Sequence, residues 1–271
     1  MDITSIVYPI VSIGGLGILF GAGLGYASKK FAVEVDERIP KVRDLLPGAN
    51  CGGCGFAGCD AFATAVVEEG VDICSCPVNS DESAGKIAAL LGVDTSCSIK
   101  RVALVKCKGT CSNSQNKYDY YGIMDCNDAA AIPGGGAKAC SYGCLGLGSC
   151  KKVCPFDAIR IEDGIAVIDE DKCTACGNCV DACPKAVIEL VPKQNKVRVL
   201  CNSNDKGKEV KEACSVGCIG CKLCVKSCEY DAIDFEDNLA HINYEKCSHC
   251  MACVEKCPTK IIEGQHVLTE A

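Results

Sequence analysis

The chain reads as an α+β protein: one N-terminal helix, a small α-helical cysteine module, then two tandem cysteine-rich domains of short strands. Three observations predict this. Four cysteine runs fill the second half, two of them complete as Cys173-x2-Cys176-x2-Cys179-x3-Cys183-Pro184 and Cys247-x2-Cys250-x2-Cys253-x3-Cys257-Pro258. From Cys140 onward the sequence repeats itself with an offset of 74 residues. At the other end, Ile3 to Ser28 carries no charge and is mostly apolar, near the roughly 20 residues a helix needs to cross a bilayer.

Taken in order, residues 1–28 are expected to be a transmembrane anchor. A cleaved signal peptide would want a basic start and a shorter apolar run; here the start is Met1-Asp2. Lys29, Lys30, Arg38, Lys41 and Arg43 follow, which by the positive-inside rule puts the rest of the chain in the cytoplasm. Gly17, Gly21 and Gly25 share one helical face, a stripe that lets another helix approach closely. The expectation is a single-pass protein of the inner (cytoplasmic) membrane.

Residues 29–95 form the α-helical module. Val35–Leu46 is amphipathic and ends at Pro47-Gly48, and Ala61–Glu69 and Asp81–Leu91 are helical by apolar spacing. Between them stands Cys51-x2-Cys54-x4-Cys59, with Cys76 further on. Gly52, Gly53, Gly55 and Gly58 let the backbone bend tightly around the sulfurs. Cys74 rivals Cys76 as fourth ligand; Cys76 is preferred because Pro77 follows it, as a proline follows the last cysteine of three of the four later runs. Residues 96–139, with Cys97, Cys107, Cys111 and Cys126, are a cysteine-containing connector of no clear pattern.

Residues 140–195 and 196–271 are the two repeats. Cys140, Cys144, Cys150, Cys154, Cys173, Cys176, Cys179 and Cys183 map onto Cys214, Cys218, Cys224, Cys228, Cys247, Cys250, Cys253 and Cys257. Each repeat also holds an alternating stretch around Asp163-Gly164 or Asp237-Asn238, a hairpin signal. The run spacing is that by which bacterial-type ferredoxins hold cubane [4Fe-4S] clusters: three thiolates of one run grip one cluster and the fourth reaches its neighbour. Each repeat is therefore a two-cluster ferredoxin domain.

The repeats differ at one ligand. Cys221 completes the third run, whereas the matching residue of the first is Leu147. Cys140 is expected to step in, giving the set Cys140, Cys144, Cys150 and Cys183 beside Cys154, Cys173, Cys176 and Cys179. The second domain pairs Cys218, Cys221, Cys224 and Cys257 with Cys228, Cys247, Cys250 and Cys253. With Cys51, Cys54, Cys59 and Cys76 this makes five clusters. A sixth from among Cys107, Cys111, Cys126, Cys201 and Cys214 stands against buried inert thiols; Cys126 and Cys201 lie almost one repeat apart, and Cys97 is expected to stay unligated.

Composition narrows the class. Cysteine is the anomaly, 27 of them against 3 His and no Trp. Disulfide stapling suits short secreted chains, and these cysteines are odd in number and in ligand spacing. Zinc suits paired motifs, but a triple Cys-x2-Cys-x2-Cys offers it one sulfur too many. A net charge of −7 with no basic stripe argues against nucleic acid. No Gly-x-Gly-x-x-Gly follows a strand, so nicotinamide is not bound here. The chain is expected to carry electrons, with no catalytic residue of its own; purely structural clusters are the competing class.

The order of parts, with Gly25-Tyr26-Ala27-Ser28 and Asn50-Cys51-Gly-Gly-Cys54-Gly-Phe-Ala-Gly-Cys59, resembles the B-subunit family (RnfB) of the Rnf complex, the ion-translocating ferredoxin:NAD+ oxidoreductase. Two ferredoxin domains match the extended clostridial and acetogen form. The resemblance implies an electron-input subunit of a translocase, fed by reduced ferredoxin and feeding flavin- and iron–sulfur-bearing membrane subunits, with Na+ or H+ export coupled to the flow. A component of another membrane reductase, such as one reactivating a corrinoid enzyme, is the nearest alternative.

Overall fold

A computed structural model describes residues 3–30, 36–94 and 100–264. Helix α1 covers Ile3–Lys30. Among the described residues, however, no helix is long and apolar enough to cross a membrane, so the expected transmembrane anchor is corrected to a helix. Six of its residues are glycines, Gly14, Gly15, Gly17, Gly21, Gly23 and Gly25, which add length without an apolar side chain. Among the described residues, and the helix's own backbone aside, nothing lies within 4 Å of where a side chain would start at Gly17, Gly21 or Gly25.

The module packs α2 (Arg38–Leu45), α3 (Cys59–Glu68) and α4 (Asp81–Leu91) around Val42, Phe62, Ala63, Ile73 and Ile87. The start of the first helix as predicted, Val35, lies outside the described residues. The third is bounded as its sequence demands: the Ser80 hydroxyl accepts from the Ser83 N–H at 3.1 Å, and Gly92 ends it at φ +70°, the left-handed cap that glycine adopts without strain.

The connector is part of the first repeat. Its strand β1 (Arg101–Val105) pairs antiparallel with β4 (Ile188–Pro192), which follows the last cysteine of that repeat. Inside this clasp lie α5 (Cys126–Ala131), α6 (Ser149–Lys152), the hairpin β2 (Ile159–Glu162) and β3 (Ile165–Ile168), and α7 (Asn178–Asp181). The second repeat copies the plan. Strand β5 (Arg198–Val199) pairs with β8 (Ile262–Glu263) around α8 (Gly207–Ala213), α9 (Leu223–Lys226), the hairpin β6 (Ile233–Glu236) and β7 (Leu239–Ile242), and α10 (Ala252–Lys256). Both hairpins turn through residues at positive φ, Asp163-Gly164 and Asp237-Asn238, the two-residue turn that matches strand twist. Their registers are equivalent, Ile159 opposite Ile168 and Ile233 opposite Ile242.

The parts are stitched together. The Asn178 side-chain amide donates to the Cys51 carbonyl at 3.3 Å, tying the module to the first repeat. The Gln115 N–H donates to the Ala213 carbonyl at 3.0 Å and the Ser215 N–H to the Asn113 carbonyl at 2.9 Å, tying the connector to the second. Glu170 takes Lys196 at 2.8 Å and also pairs with the buried Arg198.

Candidate iron–sulfur centres

Each of the four cysteine runs in the two repeats wraps its sulfurs with the same backbone device. Two residues per run adopt positive φ: Gly146 and Gly148, Ala175 and Gly177, Gly220 and Lys222, His249 and Met251. Alternating handedness turns successive amide N–H groups into one concave face that suits anionic groups. The sequence hides these positions, because only half are glycine. A further left-handed residue stands three places after the last cysteine of each run, at Asp157, Ala186, Asp231 and Lys260.

Three hollows show which sulfurs come together. One of about 340 Å³ is lined by Cys154, Cys173, Cys176 and Cys179, with Ala103, Ala158 and Ile168 as its apolar walls. A second, about 340 Å³, holds Cys228, Cys247, Cys250 and Cys253. The third, about 370 Å³, holds Cys218, Cys221, Cys224 and Cys257. Among the described residues no group of three or more His, Cys, Asp or Glu could hold a single metal ion; the sulfurs stand around hollows instead.

In the module, Cys59 and Cys76 are buried and Cys54 packs against the same core. The Cys59 N–H donates to Asn50 Oδ1 at 2.8 Å, fixing the loop. Cys74 is disulfide-bonded. Cys97 lies outside the described residues. The module loop meets the first repeat so closely that a side chain at Gly53 would begin 2.6 Å from the Cys176 carbonyl oxygen.

Cys144 and Cys150 are buried and share a core with Cys183. Cys126, buried at the start of α5, donates its N–H to the Ser149 hydroxyl at 2.7 Å, beside Cys150. Cys140 lines a separate hollow with Cys107, Cys201 and Cys214. Cys111 is exposed.

The electrostatics match the donor type. Burial pushes Cys150 and Cys179 up to about 12, with neighbouring sulfurs adding to it. Burial likewise carries Cys224 and Cys253 up to about 11. At Cys76 burial again raises the thiol, Val78 and Asn79 N–H groups oppose it, and the Cys54 and Cys51 sulfurs reinforce it. Cys257 goes the other way: burial works against the thiolate, but the Ile262, Ile261 and Thr259 N–H groups and the Thr259 hydroxyl bring it below the ordinary thiol range. Clustered sulfurs that repel one another as thiolates are stable only when positive charge is inserted among them. All-sulfur donor sets with N–H groups aimed at them, in apolar hollows, fit [4Fe-4S] clusters.

Comparisons agree with this chemistry. Residues 46–78 match the family model of a putative Fe-S cluster, and residues 136–199 and 217–261 match models of the 4Fe-4S dicluster domain. The B subunit of the Na(+)-translocating ferredoxin:NAD(+) oxidoreductase complex of Acetobacterium woodii is 49% identical, over 97% of this chain and 79% of that protein. The B subunit of the ion-translocating oxidoreductase complex of Methanosarcina acetivorans is 47% identical, over 95% and 98%. The B subunit of the proton-translocating ferredoxin:NAD(+) oxidoreductase complex of Clostridium ljungdahlii is 45% identical, over 96% and 93%. At these identities and over these lengths, the chain belongs to the B-subunit family of the ion-translocating ferredoxin:NAD+ oxidoreductase complexes.

Proposed function

We propose that the chain is the iron–sulfur electron-transfer subunit of an ion-translocating ferredoxin:NAD+ oxidoreductase, working within a multi-subunit complex and joined to the membrane through it. Its electron donor is reduced ferredoxin, and its acceptors are redox subunits of the same complex. The observation that carries this reading is the succession of cysteine-lined hollows, with the module loop seated directly on the Cys176 loop of the first repeat. When bound, the clusters supply reversible one-electron chemistry.

The chain's own residues do the rest. Cys51, Cys54, Cys59 and Cys76 hold the module site, and the disulfide at Cys74 leaves Cys76 as its fourth ligand. Cys154, Cys173, Cys176 and Cys179, then Cys218, Cys221, Cys224 and Cys257, then Cys228, Cys247, Cys250 and Cys253 hold one site each. Cys126 takes the place that Leu147 vacates and completes the set of Cys144, Cys150 and Cys183. The left-handed residues of each run orient backbone N–H groups toward thiolates, and the apolar walls keep water from them. Gly53 gives up a side chain so that two ligand loops can touch.

The test is made on the intact complex in membrane vesicles. NAD+ reduction driven by reduced ferredoxin should be lost in Cys76→Ser, while Cys74→Ser keeps its cluster count. Clusters of the isolated chain that cannot be reduced reversibly at ferredoxin-like potentials would favour a structural role instead.

A further inference from the structure

Between the two repeats lies a hollow of about 490 Å³ that none of the five ligand sets uses, lined by Cys107, Cys140, Cys201 and Cys214. Its cysteines come in matched pairs. Cys140 and Cys214 correspond through the repeat. Cys107 and Cys201 each stand two residues after the clasp strand of their repeat, β1 ending at Val105 and β5 at Val199. Each also accepts the same hydrogen bond: the Cys144 N–H donates to the Cys107 sulfur at 3.4 Å, and the Cys218 N–H donates to the Cys201 sulfur at 3.4 Å.

The sulfurs converge. A side chain starting at Gly109 would lie 3.4 Å from the Cys107 sulfur and 3.8 Å from that of Cys214; one starting at Gly143 would lie 3.6 Å from the Cys140 sulfur and 3.8 Å from that of Cys107. Leu200, Val210 and Ile261 give the hollow apolar walls, and Cys201 is buried. Lys138 also lines it, buried, with Nζ bonded to the Gly109 carbonyl at 2.6 Å and the Gly164 carbonyl at 2.8 Å. A buried ammonium is costly without a compensating negative charge nearby. Four thiolates around iron and sulfide supply it.

We infer that Cys107, Cys140, Cys201 and Cys214 hold a sixth [4Fe-4S] cluster that bridges the two ferredoxin domains. The inference rests on the iron–sulfur reading of the chain and extends it. The bridging site adjoins the Cys144 set through the Cys144–Cys107 bond and the Cys218 set through the Cys218–Cys201 bond. It therefore joins two separate pairs of sites into one continuous row. Each thiol gives up its proton when the site fills, so the four cysteines together release about four protons.

Iron and acid-labile sulfide are counted on the full chain, prepared anaerobically, together with zinc. The intact chain should hold about 24 irons, and Cys201→Ser or Cys107→Ser about 20, four fewer. The two variants come from different repeats, and circular dichroism identifies any that fails to fold. Cys111→Ser, at an exposed thiol outside the set, should keep the full count. The inference is overturned if the intact chain holds about 20 irons and neither variant lowers that figure, or if the four sulfurs hold one zinc. An intact chain without iron would sink the broader reading as well, so the two failures are distinguishable.

Discussion

The two ferredoxin repeats share one frame and fill it differently. In the second, three cysteines of a single run, Cys218, Cys221 and Cys224, meet Cys257 around one hollow. In the first, Leu147 stands where Cys221 would be, yet the flanking residues Gly146 and Gly148 keep the same left-handed turns as Gly220 and Lys222. A buried cysteine arrives from the inserted segment instead, Cys126 on α5, bonded through its N–H to Ser149. On the proposed ligand sets the backbone cradle is common to both repeats, and the residue supplying the last sulfur differs.

The largest expected effect tests that statement directly. Cys126→Ser should lose one cluster, about four irons per chain, and adding Leu147→Cys in the same chain should restore them. Iron counts that stay level in Cys126→Ser would show that the first repeat finds its ligand elsewhere. Next in size is a pair of matched glycines. A methyl group at Gly217 would lie 2.3 Å from Val210 Cγ1, whereas at Gly143 its nearest neighbours are at 3.6 Å. Gly217→Ala should destabilise by about 1–3 kcal/mol through overpacking and Gly143→Ala by much less; thermal melts of the two would separate them.

A smaller contrast lies in the hairpin turns. Asn238 tolerates its positive φ and donates its side-chain amide to the Asn204 carbonyl at 3.0 Å, while a side chain at Gly164 would begin 2.6 Å from the Cys111 sulfur. Gly164→Asn should therefore cost about 1 kcal/mol more than Asn238→Gly, and Cys111→Ala should relieve part of that cost. The weakest expected effect concerns the strap between the repeats. Burial opposes the charge on Glu170, but Lys196 and Arg198 prevail and hold its carboxyl below the usual glutamate range. A depressed value stabilises the fold above the ordinary carboxylate range and loses that contribution as the pH falls through the lowered value. Glu170→Gln should melt earlier than the parent at neutral pH by about 1 kcal/mol or less, and the difference should close in acid.

Much of the architecture is legible in the sequence because cysteine spacing and turn chemistry are local. The hairpins at Asp163-Gly164 and Asp237-Asn238 and helix α4 fall where alternation, apolar spacing and capping put them. Other features depend on chain pieces far apart. The equivalence of Cys107 and Cys201 is hidden by the extra residues between Cys107 and Cys140, which push a fixed-offset search toward Cys126 instead. The short apolar run Val102–Val105 just before Cys107 is the available signal. Helix α1 forms where the uncharged run predicts a helix, yet among the described residues no helix is long and apolar enough to cross a membrane.

The clasps also order events in time. Among the described residues, strand β1 pairs with β4, which lies beyond every cysteine run of its repeat, and β5 pairs with β8, near the far end of the described chain. As the polypeptide leaves the ribosome, neither can close until all the sulfurs of its run pair have emerged, since distant pairing must await its second partner. Each domain is thus left ajar during synthesis and latched afterwards, giving iron and sulfide a period of entry before the door shuts.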